Sequence, residues 1–188
     1  AVMPVHMCGA MARIDEIKSL CDQKGLILIE DACQSVGATF NGKSLGTFGQ
    51  IGCFSFDSVK TITCGEGGAI VTGDNDIYTL ADAYSDHGHD HIGNDRGLEQ
   101  HLILGTNLRI SELNAAVGLA QLRKLDEILD RQRRHKALIR EALEVFPQIT
   151  FRKIPDAAGD SATFLTFFMP EASTAKTLPR QLGGAGID

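Results

Sequence analysis

The stretch Leu26-Ile27-Leu28-Ile29-Glu30-Asp31 decides the fold class of this chain. Its first four residues form a short apolar run with β-branched members, and the run stops at an acidic pair. Residues 11–24 precede it with apolar side chains on one helical face, and Gly25 stands where a left-handed cap is expected. A continuous apolar strand directly after a helix is typical of a parallel sheet that is buried on both faces. We therefore predict an α/β protein.

Helices and strands alternate along the rest of the chain. We predict strands over 51–56, 68–72, 149–154 and 163–169, a turn over 155–161, a short helix over 76–84 and a long helix over 111–143. The long helix carries apolar residues at core spacing, namely Leu113, Ala116, Val117, Ala120 and Leu122.

This order predicts two units. Residues 1–130 form a large domain with a mostly parallel sheet, and residues 131–188 form a connecting helix and an incomplete small α+β domain. Because the small unit has too few strands and the chain stops in a glycine-rich stretch, we expect a chain truncated at both ends.

Composition narrows the class of protein. Apolar residues make up 43% and charged residues 22%, as in an ordinary globular protein. The net charge of −6 argues against a nucleic-acid partner, and the basic segment 131–136 is interpreted as a solvated helix face. No apolar run is long enough to span a membrane.

The cysteines indicate the compartment. They form no Cys-x-x-Cys pair and no zinc-type spacing, and each stands among apolar or small residues: Cys8, Cys21, Cys33, Cys53 and Cys64. We expect them to be reduced and buried, which favours a cytoplasmic protein.

Three polar residues follow predicted strands: Asp31 ends one, and Ser55 and Lys60 follow another. Ligands bind at the carboxyl ends of parallel strands. Lys60 lies among small and hydroxyl residues between apolar strand ends, where partial desolvation would make its amine a better nucleophile, as Schiff-base chemistry needs. Physics alone does not separate this reading from an ordinary surface lysine.

The order of the sequence motifs adds a family resemblance. The blocks are Glu30-Asp31-Ala32-Cys33-Gln34-Ser35-Val36-Gly37-Ala38, Gly46-Thr47-Phe48-Gly49, Cys53-Phe54-Ser55-Phe56, Lys60, Gly65-Glu66-Gly67-Gly68-Ala69 and Gly105-Thr106-Asn107-Leu108-Arg109-Ile110-Ser111-Glu112-Leu113-Asn114-Ala115-Ala116. Together they resemble the DegT/DnrJ/EryC1/StrS family of sugar aminotransferases, over residues 4–129. The resemblance implies the fold of pyridoxal-phosphate (PLP) dependent transferases of fold type I.

The resemblance also implies roles for five residues. Lys60 holds PLP covalently and, once freed by substrate, moves a proton between the substrate carbon and the cofactor. Asp31 pairs with the pyridine nitrogen and keeps it protonated. Gln34 lies near the ring and its phenolic oxygen, and Ser55 binds the phosphate. Asn107 reaches the phosphate in the neighbouring subunit's site, which implies a homodimer with shared active sites.

Two departures from the family pattern concern the subgroup. Leu108 stands where an aromatic residue is common, and residues 57–59 stand where a proline or glycine often precedes the lysine. Neither change affects a residue that would bind the cofactor.

The implied reaction moves an amino group from an amino acid, glutamate by resemblance, to a keto-sugar. The Lys60 segment and residues 86–91 look most similar to the branch that makes 8-amino-3,8-dideoxy-manno-octulosonate for lipopolysaccharide, and a nucleotide-linked 4-keto-hexose is the alternative substrate. His87 is a candidate substrate-binding residue. Family dehydratases carry histidine in place of the lysine, so Lys60 favours an aminotransferase. A PLP-binding regulatory homologue without turnover stays open.

Each candidate also has a purely structural interpretation. Asp31 could cap the next turn, Ser55 could satisfy a strand end, and Asn107 could be an ordinary first-turn residue of the helix after it. Residues 65–68 could be a plain tight turn.

The histidine-rich loop 86–91, with His101, suggests a metal site. Alternate histidines in an extended loop point to opposite sides, so at most two would converge. We therefore predict no metal.

Overall fold

The computed structural model describes residues 1–93, 98 and 100–187. A short 3₁₀ helix (Met7–Gly9) comes first. The other elements, in chain order, are α1 (Ile14–Lys24), β1 (Ile29–Asp31), β2 (Thr39–Phe40), β3 (Lys43–Ser44), β4 (Ile51–Ser55), β5 (Gly68–Val71), α2 (Asn75–Ser85), α3 (Glu112–Leu122), α4 (Leu125–Leu143), β6 (Thr150–Phe151), β7 (Phe167–Phe168) and α5 (Ala172–Gly184).

A three-stranded sheet in the order β1-β4-β5 carries the candidate site. Strands β1 and β4 are parallel, with Asp31 opposite Cys53, whereas β5 is antiparallel to β4. Val2 and Val5 add parallel bridges to Leu28 and Asp31. The predicted α/β class is thereby confirmed.

The core lies between α1 and the start of the sheet. Its buried residues are Met11, Ile14, Cys21, Leu28, Ala38, Phe40 and Leu45. Helix α1 ends at Gly25 in the left-handed conformation (φ 61°), as the sequence predicted. The partly buried Ile154 packs against this core from the C-terminal part of the chain.

Strand β1 begins later than predicted and contains the acidic pair. Leu26 and Ile27 are exposed, whereas Glu30 is fully buried inside the strand. A carboxylate tolerates burial when hydrogen bonds surround it, and Glu30 has four such bonds. The apolar run therefore did not mark the strand's true bounds.

The predicted long helix is two helices. It breaks at Arg123 and Lys124, where Lys124 adopts φ −101° and ψ 0°. No proline or glycine marks this break, so the helical pattern of the sequence continues across it and predicts a single helix. The apolar side chains expected in the core are exposed, with Leu113 79%, Val117 49% and Leu122 53% accessible.

Two elements were not predicted. Strands β2 and β3 form a hairpin around Asn41 and Gly42, both at positive φ. Helix α5 contains Pro179 and ends in glycines. Because these residues interrupt the helical pattern, the sequence did not predict this helix. The predicted strands near the C-terminus exist as the much shorter pair β6 and β7.

The cysteines are free thiols, but only two of them are buried. Cys21 and Cys64 lie inside, whereas Cys8, Cys33 and Cys53 are half-buried. The prediction of uniform burial was wrong because Cys53 borders an open groove beside Tyr78 and Asn114. Across the described ranges, no helix combines the length and apolar character needed to cross a bilayer.

Residues 156–163 fold back onto the first half of the chain. The Thr39 N–H donates to the Gly159 carbonyl (2.8 Å), and the Asn41 N–H donates to the Asp156 carboxylate (2.8 Å). A Cβ at Gly159 would stand 1.9 Å from the Thr39 carbonyl oxygen, so only glycine allows this approach. The C-terminal segment therefore packs close to the loop that follows β1.

Candidate active site

Asp31 is held at the carboxyl end of β1. Its backbone N–H donates to the Pro4 carbonyl (3.0 Å) and its own carbonyl accepts from the His6 N–H (2.9 Å). Its half-buried carboxylate accepts the Cys33 N–H at 3.0 Å. This contact is the turn cap that the structural interpretation expected, and it also fixes the carboxylate beside the end of the strand.

The Cys33 sulfur lies within electrostatic reach of both Asp31 and Lys60. Burial is the largest cause that raises the pKa of the Cys33 thiol to about 11, the Asp31 carboxylate acts in the same direction, and the positive charge of Lys60 acts in the opposite direction. Burial and Asp31 likewise raise the pKa of Cys53. Because a thiol with this pKa stays protonated at neutral pH, Cys33 is not a nucleophile.

Lys60 stands in a compact turn after β4. Its N–H donates to the Asp57 carbonyl (3.0 Å), and the Cys64 N–H returns to the Phe56 carbonyl (3.0 Å). Ser55 is the last residue of β4, and its hydroxyl accepts the Asp57 N–H at 3.4 Å. Since β1 and β4 are parallel, Asp31, Ser55 and the half-buried Lys60 follow the same edge of the sheet.

Gln34 lies in the loop after β1. Its side-chain oxygen accepts the Cys8 N–H (3.1 Å), and its backbone carbonyl accepts the Gly9 N–H (2.9 Å). Because the amide oxygen is engaged, a hydrogen bond from Gln34 to a ligand would come from its NH₂ group.

Asn107 and His87 form a separate group. Asn107 pairs with Asp86 in an antiparallel bridge, and the His87 N–H donates to the Thr106 carbonyl at 3.1 Å. His87 is exposed with φ 58°. Within the described residues neither side chain hydrogen-bonds to Lys60 or Asp31.

The Asn107 segment is extended and does not belong to a helix. The Asn107 side chain accepts the Arg109 N–H (3.2 Å), and α3 begins only at Glu112. Its interpretation as a first-turn residue was therefore wrong. Arg109 also makes an ion pair with the buried Asp86 carboxylate.

The histidine-rich loop is built on stacked rings and ion pairs. The rings of His89 and His101 lie 4.6 Å apart, and His91 contacts the carboxylates of Asp82 (2.7 Å) and Asp86 (3.1 Å). Among the residues placed by the structure, no three His, Cys, Asp or Glu side chains are grouped to hold a metal.

Sequence reasoning missed the role of Glu30. Its carboxylate is fully buried and accepts N–H groups of Gly46 (2.8 Å), Phe48 (2.6 Å) and Gly49 (2.7 Å), and it contacts His6 Nε2 (3.1 Å). Burial alone would raise its pKa, but these donors outweigh it and lower the pKa below the usual value. Strand alternation was the available signal, since Glu30 and Asp31 point to opposite faces.

These groups fit a PLP molecule. The Asp31 carboxylate, the Ser55 hydroxyl and the Lys60 amine follow the carboxyl ends of β1 and β4, and the Gln34 amide lies in the loop after β1. These are the kinds of group that would hold the aldehyde, ring nitrogen, phosphate and phenolic oxygen of PLP. The Asp31 carboxylate is held by the Cys33 N–H at the end of β1, and Lys60 lies in the turn after the parallel strand β4.

Known proteins match along the whole chain. The sequence model of the DegT/DnrJ/EryC1/StrS aminotransferase family matches residues 1–188. GDP-perosamine synthase of Vibrio cholerae is 37% identical over 147 residues, which cover 78% of this chain and 39% of that protein.

Two solved structures share the fold. The E. coli GDP-4-keto-6-deoxy-D-mannose-3-dehydratase with bound hydrated PLP has a TM-score of 0.88 and 30% identity, covering 99% of this chain and 51% of its own. Helicobacter pylori PseC, an aminotransferase involved in the biosynthesis of pseudoaminic acid, has a TM-score of 0.86 and 25% identity, covering 99% and 50%.

The chain thus spans about half the length of these relatives, between 39% and 51%. The matches confirm the fold of PLP-dependent transferases of fold type I, and they confirm PLP as the cofactor of this group of proteins. This chain belongs to the DegT/DnrJ/EryC1/StrS aminotransferase family.

Proposed function

We propose that the protein is a PLP-dependent aminotransferase that moves an amino group from an amino acid, with glutamate as the donor, to a keto-sugar. The observation that carries the proposal is that Asp31 ends β1 and that Lys60 lies in the turn after the parallel strand β4, at the same carboxyl edge of the sheet. Family membership identifies PLP as the cofactor that Asp31 and Lys60 would bind.

The proposed roles are those that the family resemblance implies, and the positions of the residues support them. PLP supplies an electron sink when it is bound. The Asp31 carboxylate, fixed by the Cys33 N–H, holds a proton on the ring nitrogen. Lys60 binds the cofactor through its amine and, when released, moves a proton at the reacting carbon. Ser55 donates to the phosphate, and Gln34 donates its NH₂ group to the phenolic oxygen.

The alternative acceptors differ in charge and size. Motif similarity in the chain supports the route to 8-amino-3,8-dideoxy-manno-octulosonate, with His87 on the substrate side. Similarity to GDP-perosamine synthase, which acts on a nucleotide-linked sugar, supports a nucleotide-linked 4-keto-hexose instead. Because both are keto-sugars, both can be offered as acceptors in the same aminotransferase assay. The acceptor that receives the amino group decides between the two alternatives.

We also propose a homodimer in the cytoplasm. Asn107 would reach the neighbouring subunit's phosphate, and the exposed apolar residues of α3 support a partner surface near it. The free thiols support the compartment. We retain residues 1–130 as the proposed large domain and residues 131–188 as a connecting helix with a small α+β unit.

The test uses the full-length protein. PLP is added, the visible spectrum is recorded, and borohydride reduction is followed by peptide mapping. A reducible band with the label on Lys60 supports the proposal, and a label elsewhere or no band refutes it. Single turnover with glutamate then separates an enzyme from a PLP-binding regulator, because only the enzyme transfers the amino group.

Replacing Asp31 with asparagine removes the charge that we assign to the ring nitrogen. We expect kcat to fall roughly 10²- to 10⁴-fold with PLP still bound, because the ring would accept electrons poorly. Steady-state kinetics and the PLP content of the purified variant measure both effects. The matched control is Asp76→Asn, an exposed residue in the first turn of α2. Unchanged kcat in Asp31→Asn would remove Asp31 from the mechanism.

A further inference from the structure

Three hydroxyl groups connect the Lys60 turn to the C-terminal part of the chain. The Thr61 and Thr163 hydroxyl oxygens are 3.1 Å apart, and those of Thr163 and Ser161 are 3.0 Å apart. The Ser161 hydroxyl donates to the Gly9 carbonyl at 3.2 Å. The series therefore begins one residue after Lys60 and ends at backbone from the start of the chain.

The direction of this series is fixed by its end. The Gly9 carbonyl can only accept, so Ser161 uses its single hydroxyl proton there. Ser161 must then accept from Thr163, and Thr163 must accept from Thr61. Such a directed series strengthens each bond in it, because every donor is polarised by the next.

The far end of the series is rigid. Ser161 is fully buried, and its backbone N–H also donates to the Gly9 carbonyl (3.0 Å). A Cβ at Gly9 would stand 2.7 Å from the Ser161 hydroxyl oxygen, so the close approach depends on glycine. The Gly9 N–H in turn donates to the Gln34 carbonyl at 2.9 Å. Two residues of the proposed cofactor site, Lys60 and Gln34, are thereby joined through residues 161–163.

Helix α4 holds the 160–163 segment in shape. The Asp160 carboxylate accepts the Ala162 N–H (2.8 Å) and contacts the Lys136 amine. The Asp160 carbonyl accepts from Arg133 Nε at 3.0 Å. Ala162 has φ 61°, a conformation that persists only when its surroundings enforce it.

We propose that Thr61 and Thr163 are positioning residues for Lys60, through which the C-terminal part of the chain sets the place of the lysine amine. The proposal rests on the proposed function in taking Lys60 as the residue that binds the cofactor. Lys60 has a long flexible stem, so the turn that carries it must be fixed if the amine is to reach one point. In that turn, the Thr61 side chain hydrogen-bonds to Thr163, a residue outside the turn.

The first readout is the kinetics of the full-length enzyme. Thr163→Val keeps the shape and removes the hydroxyl, and we expect kcat to fall roughly 10- to 100-fold because misplacement of a reacting group is costly. KM for the sugar should stay within about twofold, since we assign Thr163 no contact with the substrate. Thr163→Ser restores the hydroxyl and should restore kcat. The matched control is Thr177→Val, whose exposed hydroxyl bonds only to its own helix α5.

The second readout needs no cofactor. Competitive acylation of the cofactor-free protein, followed by peptide mapping, gives the reactivity of each lysine against pH. We expect the acylation reactivity of Lys60 to change in Thr61→Val and in Thr163→Val, with that of Lys24 unchanged. The double variant should resemble Thr163→Val, because that change already breaks the Thr61–Thr163 bond as well as the Thr163–Ser161 bond.

The outcomes are distinct. If both valine variants match Thr177→Val in kcat and in the Lys60 profile, the positioning role is refuted. If the wild-type protein does not fix PLP on Lys60, the proposed function fails, while the acylation profile still reports whether the hydroxyls position the lysine. Should Thr163→Val not fold, Thr61→Val removes the same bond and decides the question.

Discussion

Replacing Lys60 with alanine is expected to lower kcat of the full-length protein by about 10⁴-fold, the upper end of the range for a lost acid–base group. The variant loses both the covalent attachment of PLP and the group that moves the proton. PLP would still bind through Asp31, Ser55 and Gln34, so borohydride should no longer fix it to the protein. Kinetics and mass spectrometry of the reduced protein measure the two losses.

The matched control is Lys24→Ala, an exposed lysine in the last turn of α1. It should fix PLP and turn over like the wild type. An added small amine should partly restore the Lys60→Ala variant, because it can accept the proton that Lys60 would take. Full activity in Lys60→Ala would refute the aminotransferase mechanism. Loss of activity in Lys24→Ala would show that the effect is not specific to the site.

The sequence predicted the sheet edge well because the decisive signals are local. The end of β1 at Asp31 and the end of β4 at Ser55 each lie within two residues of the end that the apolar pattern predicts. A parallel arrangement then brings Asp31 and Lys60 to one edge without any further information. The order of the motifs identified PLP as the cofactor, and the apolar pattern alone could not identify it.

Long-range contacts could not be predicted in this way. Thr163 stands 102 residues after Thr61, and nothing in either segment announces their hydrogen bond. The break between α3 and α4 has no proline or glycine to mark it. The apolar residues of α3 have the spacing of a core helix, yet they are exposed. The spacing indicates an apolar face, but it does not indicate which surface covers that face.

Glu30 carries the largest predicted effect on stability. Each of its two carboxylate oxygens accepts two bonds: one takes His6 and Gly46, and the other takes Phe48 and Gly49. His6 Nδ1 accepts the Ala12 N–H (3.1 Å), so the proton on Nε2 faces Glu30 and the contact needs no charge on His6. The carboxylate thus orders the loop that precedes β4.

Glu30→Gln is expected to lower the free energy of unfolding by about 3 to 5 kcal/mol at neutral pH. The amide has one oxygen, so its NH₂ group must face two of the four donors whichever way the side chain is turned. Urea unfolding of the variant and of the wild type gives the difference. The control is Glu141→Gln on exposed α4, which should change stability by less than about 0.5 kcal/mol.

The same carboxylate makes the wild-type stability depend on pH. Because the folded-state pKa of Glu30 is lowered, its contribution is complete above the ordinary value of 4.5 and is lost progressively as the pH falls through the lowered value. The Glu30→Gln variant has no such proton to bind, so the difference between it and the wild type should shrink as the pH falls below 4.5. Unfolding measured from neutral pH downward tests this. A difference that stayed constant would mean that folding does not change the pKa of Glu30, and a difference that grew as the pH fell would mean that Glu30 is uncharged in the folded protein at neutral pH.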